Sequence, residues 1–181
     1  MVSTMRAPLL VSLIAAVAVT GCGSSPKNSA TLQTKAKQAH AQLFSHDYAD
    51  GIGVHTTKTV TYATNPPTNG PHYPQWADDG DYAGVVPPRV EKIVHAQEHG
   101  RVVYWYSPSL PKAQRDQLEA LFSKDPYHVL LVENRTQMRC PVAVTAWGHG
   151  MRCPKWEGTA TLAALEAFRD TFRDHGPETV A

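Results

Sequence analysis

The segment Asn65–Pro74, NPPTNGPHYP, does most to limit how this chain can fold. Its four prolines remove backbone donors and fix φ, so neither a helix nor an inner strand can run through it. Gly70 permits a sharp turn, and the irregular stretch continues through Trp76, Gly80 and Gly84 to Pro87-Pro88. Regular elements must gather on either side of a long, stiff loop. A side chain on such a loop, His72 above all, is held in place by its own backbone.

Around that loop the residue pattern changes character. Thr31–Phe44 is rich in Leu, Gln, Lys and Ala and predicts a weakly amphipathic helix. Val54–Ala63 carries many β-branched residues and predicts a strand. Arg89–Gly100 predicts a helix with Gly100 as its stop, and Val102–Tyr106 a strand. Pro111 opens a helix whose apolar face is Leu118, Leu121 and Phe122. Val129–Val132 and Val142–Trp147 read as strands. Thr159–His175 reads as a helix with a stripe of Leu162, Leu165, Phe168 and Phe172. The order β-α-β-β-α after residue 100 predicts an α+β fold, a mixed or mainly antiparallel sheet packed against helices. No repeat period is visible, which excludes a solenoid or propeller.

The first 21 residues have a different logic. Arg6 precedes an apolar run, Ala7–Val19, which ends in Val19-Thr20-Gly21-Cys22. An aliphatic residue and two small ones before a cysteine match the bacterial lipobox, in which the thiol receives a diacylglycerol. Residues 1–21 are expected to be a signal peptide, with Cys22 the lipidated N-terminus carrying acyl chains such as palmitate. Residues 22–45 then form a tether and short helix, and 46–178 a single domain. This expectation places the domain outside the cytoplasm, anchored to the cell membrane by lipid. Beyond residue 21 no apolar run is long enough to span a bilayer. With 17 Lys and Arg against 16 Asp and Glu, the charge is balanced and offers no pull on a phosphate backbone. A nucleic-acid partner is therefore not expected.

In an exported chain the two remaining cysteines, Cys140 and Cys153, are expected to form a disulfide. They sit in a repeated tetrapeptide, Met138-Arg-Cys-Pro and Met151-Arg-Cys-Pro. A soft site of two thiols and two thioethers suited to Cu(I) is the competing reading. The pair does not form a C-x-x-C motif, so thioredoxin-type exchange has no signature behind it.

Nine histidines are a surplus, and His55, His72, His95, His99 and His128 lie in the middle of the chain. His95-Ala-Gln-Glu98-His99 is the sharpest local pattern. On a helix, i and i+4 share a face, so both imidazoles can point at one ion. His72 can supply a third nitrogen, with His55 and Glu98 as further ligands or supporting groups. Three imidazoles suit copper or zinc. The same string, His-x-x-Glu-His, matches the inverted zincin motif, in which Glu98 would be the general base of a metal-dependent hydrolase. Against both stands a chain whose histidines are hydrogen-bond hubs within a non-catalytic envelope module.

Three strings taken together, Asn65-Pro-Pro-Thr-Asn-Gly-Pro-His72-Tyr, Val94-His95-Ala-Gln-Glu98-His99-Gly-Arg-Val-Val and Thr145-Ala-Trp147-Gly148, resemble the Domain of Unknown Function 3105 family. The resemblance runs over about residues 46–178, and His55 fits the layout just upstream of the first string. It implies that His72, His95, Glu98 and His99 form one constellation. It implies no activity, and the Met-Arg-Cys-Pro repeat is not part of it.

Overall fold

The structure is a computed structural model that describes residues 28–48 and 53–178. The expected leader and Cys22 lie outside the described residues. Ten elements follow in order: α1 (Ser29–Gln38), β1 (Gln42–Ser45), β2 (Gly80–Asp81), α2 (Val90–Glu98), β3 (Val102–Tyr106), α3 (Lys112–Lys124), β4 (Val129–Glu133), β5 (Val142–Ala146), β6 (His149–Cys153) and α4 (Thr159–Phe172). The strands form one six-stranded sheet in the order β1-β6-β5-β3-β4-β2. β4 runs parallel to β3 and β2, and the remaining pairs are antiparallel. The fold is therefore α+β with a mixed sheet, and α3 is the crossover that a parallel β3/β4 pair requires.

Alternation along the strands divides the core. Val102, Tyr104 and Tyr106 of β3, Val142 and Val144 of β5, and Met151 and Cys153 of β6 point to one face. That face is covered by Leu32 and Ala36 of α1, Leu118 and Phe122 of α3, and Leu165 and Phe168 of α4. Val103 and Trp105 of β3, Leu130 and Val132 of β4 and Ala143 of β5 point to the other, beneath Ile93 and Ala96 of α2. The central strands are apolar on both faces because both are covered, so they carry no polar alternation. Among the described residues the second face has one helix, α2. The Pro-rich loop lies beside that helix.

Four expectations change. The helix expected over Thr31–Phe44 ends at Gln38, and Leu43-Phe44 belong to β1, an edge strand paired with β6. The segment expected as tether and short helix thus supplies a strand as well as the helix. Its seat is tight: a Cβ on Gly150 would fall 2.1 Å from the Phe44 ring, whose face carries the Arg152 guanidinium at 3.9 Å. The strand expected over Val54–Ala63 is absent; its one pairing is an isolated parallel bridge between His55 and His72. The hairpin after β5 turns at Trp147-Gly148, with Ala146 opposite His149 and Gly148 at φ 73°. This two-residue turn leaves room for β6, a strand the sequence did not suggest.

The disulfide is the fourth correction. Cys140 and Cys153 are free and buried. Cys153 packs in the cluster under α1, α3 and α4 and Cys140 in the cluster under α2, with the Cys140 thiol against the Cys153 backbone and no bond between the sulfurs. Val142, not Cys140, stands opposite Cys153. Met151 and Met138 are likewise assigned to different clusters. Among the described residues, no helix is long and apolar enough to cross a membrane.

Candidate metal centre

The candidate site forms where the Pro-rich loop meets the C-terminal half of α2. The loop is fastened from several sides. The Gln97 amide donates to the Pro67 carbonyl at 3.3 Å, Gly148 N–H to the Thr68 carbonyl at 3.0 Å, and the Tyr62 hydroxyl to the Pro71 carbonyl at 2.9 Å. Arg152 donates to the Asn65 carbonyl through two nitrogens at 3.2 Å. Upstream, Thr56 N–H donates to the His72 carbonyl at 2.8 Å and His72 N–H to the Val54 carbonyl at 3.1 Å, which sets His55 beside His72.

These contacts bring one potential ligand atom each from His55, His72, His95 and Glu98 to within 4.8 Å of one another. The sequence had set His72, His95 and His99 as the ligands, with His55 and Glu98 as further ligands or supporting groups. In the structure His55 and Glu98 are in the converging group and His99 is not. His99 instead stacks on His95, with ring centroids 4.5 Å apart, and meets the Trp76 indole at 5.0 Å. His128 lies elsewhere, its Nδ1 2.6 Å from Asp174 Oδ1.

Hydrogen bonding assigns the nitrogens. His72 Nδ1 lies 2.8 Å from the Gly70 carbonyl and His95 Nδ1 2.6 Å from the Tyr73 carbonyl. A carbonyl can only accept, so both Nδ1 atoms carry the proton. In the neutral tautomer each Nε2 is then a bare lone pair, the arrangement that a carbonyl accepting from the far nitrogen imposes on metal-bound histidines. His72 Nε2 stands 3.0 Å from Glu98 Oε2, with both side chains wholly buried and neither atom in an aligned hydrogen bond. Two lone pairs at that distance repel. The contact is stable only with a cation there, a proton on Nε2 or a metal ion bound by both atoms. Glu98 Oε1 is separately fixed, accepting the Gly53 N–H at 2.7 Å.

The electrostatics follow. Burial works to lower the His72 pKa, but the Glu98 carboxylate and the Gly70 carbonyl outweigh it and hold the imidazole above its ordinary value. Burial works to raise that of Glu98, yet His72 and the Gly53 N–H bring the carboxyl below its usual range. Burial pushes His95 down to about 4, with His72, His99 and His55 adding to the shift against the pull of the Tyr73 carbonyl. A ring so reluctant to take a proton keeps its lone pair available at neutral pH. Burial also lowers His99, and among the described residues neither of its ring nitrogens has a hydrogen-bond partner. His55 is exposed, so the cluster meets solvent on its side.

Sequence reasoning missed the supporting groups. Gly53 serves through its backbone N–H and Tyr73 through its carbonyl, and neither role has a side-chain signature. Trp147 sets its ring edge-on to His72 at 5.9 Å. Its neighbour Thr145 accepts from Trp105 Nε1–H at 2.7 Å. The three distant strings Asn65–Tyr73, Val94–Val103 and Thr145–Gly148 thus meet around one cluster.

The family described as "Protein of unknown function (DUF3105)" matches residues 54–181, and the chain belongs to it. No match was found among curated proteins or among solved structures.

Proposed function

We propose that this member of the DUF3105 family is a metal-binding protein that holds one divalent transition-metal ion, zinc or copper, through His55, His72, His95 and Glu98. The observation that carries the reading is the His72–Glu98 contact, two buried atoms at 3.0 Å that need a cation bound by both, inside a group of four converging ligand atoms. Three imidazoles and one carboxylate are a borderline nitrogen and oxygen donor set with no sulfur, which suits Zn(II) and Cu(II) rather than Cu(I). Four protein ligands fill a tetrahedron, so the ion would fasten the Pro-rich loop to α2 and bind without an open catalytic position. Glu98 has one oxygen on Gly53 and the other in the ligand group, which argues against its service as a general base.

The Val19-Thr20-Gly21-Cys22 sequence supports a lipid anchor on the outer side of the membrane, so the ion would be handled at the cell surface. Elemental analysis of the protein, purified without chelating resin, tests the metal reading. About one equivalent of zinc or copper is expected in the wild type and none in His72→Ala; a metal-free wild type that gains no stability from either ion would refute it. Cys22→Ser tests the anchor, and a variant that still sediments with membranes at unchanged mass would count against lipidation.

A further inference from the structure

The chain beyond α4 folds back across the C-terminal end of α2. Asp174 N–H donates to the Gly100 carbonyl at 2.9 Å and Glu178 N–H to the Glu98 carbonyl at 3.2 Å. Between them Gly176 lies flush on the helix end: a Cβ there would sit 2.2 Å from the Glu98 carbonyl oxygen and 2.3 Å from the Gly100 nitrogen. Pro177 stiffens the step from Gly176 to Glu178. The Glu178 side chain is thereby delivered to Gly53, whose Cβ position would be 3.3 Å from Glu178 Oε1. Gly53 is the residue whose N–H holds Glu98 Oε1. Two carboxylates therefore flank one glycine, one inside the ligand group and one just outside it. Among the described residues no Lys or Arg pairs with Glu178, and its charge is felt at His72 and His99.

We propose that Glu178 is the charge-compensating residue of the metal centre, held there by the C-terminal strap so that the site selects divalent over monovalent ions. The inference rests on the metal reading above. Three neutral imidazoles and the Glu98 carboxylate leave a divalent ion with one uncompensated positive charge in a largely buried place. Glu178 supplies the missing negative charge without occupying a coordination position. A monovalent ion is already neutralised by Glu98 and gains less.

The test is titration of the purified full chain with Zn(II) and, separately, with Ag(I), for wild type, Glu178→Gln and Glu119→Gln. Glu119 pairs with Arg115 on α3, against the opposite face of the sheet, and controls for loss of a surface charge. Coulomb energy scales with ion charge, so Glu178→Gln should weaken Zn(II) binding about tenfold and Ag(I) binding only about threefold. Glu119→Gln should change neither. Equal losses for both ions would make Glu178 a merely structural residue and overturn the proposal, as would unchanged Zn(II) affinity in Glu178→Gln. A wild type that binds neither ion overturns the metal reading itself, and is distinguishable because the variant comparison is then never reached.

Discussion

Wholly buried His72 presents its Nε2 to Glu98 Oε2 at 3.0 Å, while its Nδ1 is committed to the Gly70 carbonyl. A proton or a metal ion must reconcile the two, and replacing the carboxylate separates these cases. Glu98→Gln in the metal-free protein leaves His72 without its anion, so its imidazole should fall below its ordinary pKa under the remaining effect of burial. Metal affinity should drop by about 100-fold or more, since a ligand and the anchor to Gly53 are lost together. Calorimetric titration, with the His72 ring followed by NMR across pH, reads both. Undiminished affinity in Glu98→Gln would remove Glu98 from the ligand set.

The metal-free protein should weaken in acid. His95 is held down to about 4 in the fold against an ordinary value of 6.5, so between these limits the unfolded chain binds more protons. Its contribution to stability is full above 6.5 and is lost as pH falls toward 4. His99 is shifted the same way. His72 is raised and acts oppositely: its contribution is present below 6.5 and fades as pH rises through its folded pKa. Urea unfolding of chelator-treated protein at successive pH values should show the acid-side slope, and His95→Gln should flatten it. A slope identical in that variant would assign the acid sensitivity to other groups.

Much of this fold was legible because its elements advertise themselves locally. β3 and β4 are unbroken apolar runs, and α3 and α4 carry apolar faces, so type and bounds were close. β6 was hidden because His149-Gly-Met-Arg-Cys has neither alternation nor β-branched residues, and its partner strand β1 looked helical. Val54–Ala63 failed in the other direction: its β-branched residues suit a strand, but the Pro-rich loop beside it offers few donors to pair with. In the site, i and i+4 spacing brought His95 of α2 and His99, the residue that caps it, to one side, yet could not tell a ligand from a stacked neighbour. That distinction depends on the His55–His72 bridge, a contact set by the loop's path and invisible in spacing.

The cysteines should behave as inert thiols. Burial pushes the Cys153 thiol up to about 12 and raises that of Cys140 as well, so little thiolate exists near neutrality. Peptide mapping after alkylation at pH 8 should find both residues unmodified in the native protein and both alkylated in denaturant without reductant. Recovery of a Cys140–Cys153 cross-linked peptide would restore the disulfide.

The seat of β1 can be tested through Gly150. Its missing side chain makes room for the Phe44 ring, so Gly150→Ala should overpack the contact and cost about 1–3 kcal/mol. The double variant Phe44→Ala/Gly150→Ala should recover the clash component and leave only the loss of the aromatic contact. Additive losses, measured by urea denaturation, would mean that Phe44 does not rest on Gly150.

Single alanine substitutions at the four histidines discriminate the ligand set most directly. His55, His72 and His95 belong to the group of atoms within 4.8 Å, so each replacement should weaken zinc binding by about 100-fold or more. His99 is outside that group and stacks on His95, so His99→Ala should cost less than about tenfold in affinity. Its effect should fall on stability, through the lost packing between His95 and Trp76. The exposed His55 provides the sharpest contrast, because its removal disturbs little buried surface: His55→Ala should fold as the wild type does and yet lose the metal. Should His99→Ala abolish binding while His55→Ala preserves it, the ligand set would revert to His72, His95 and His99, and the geometry around the His55–His72 bridge would have to change on metal uptake.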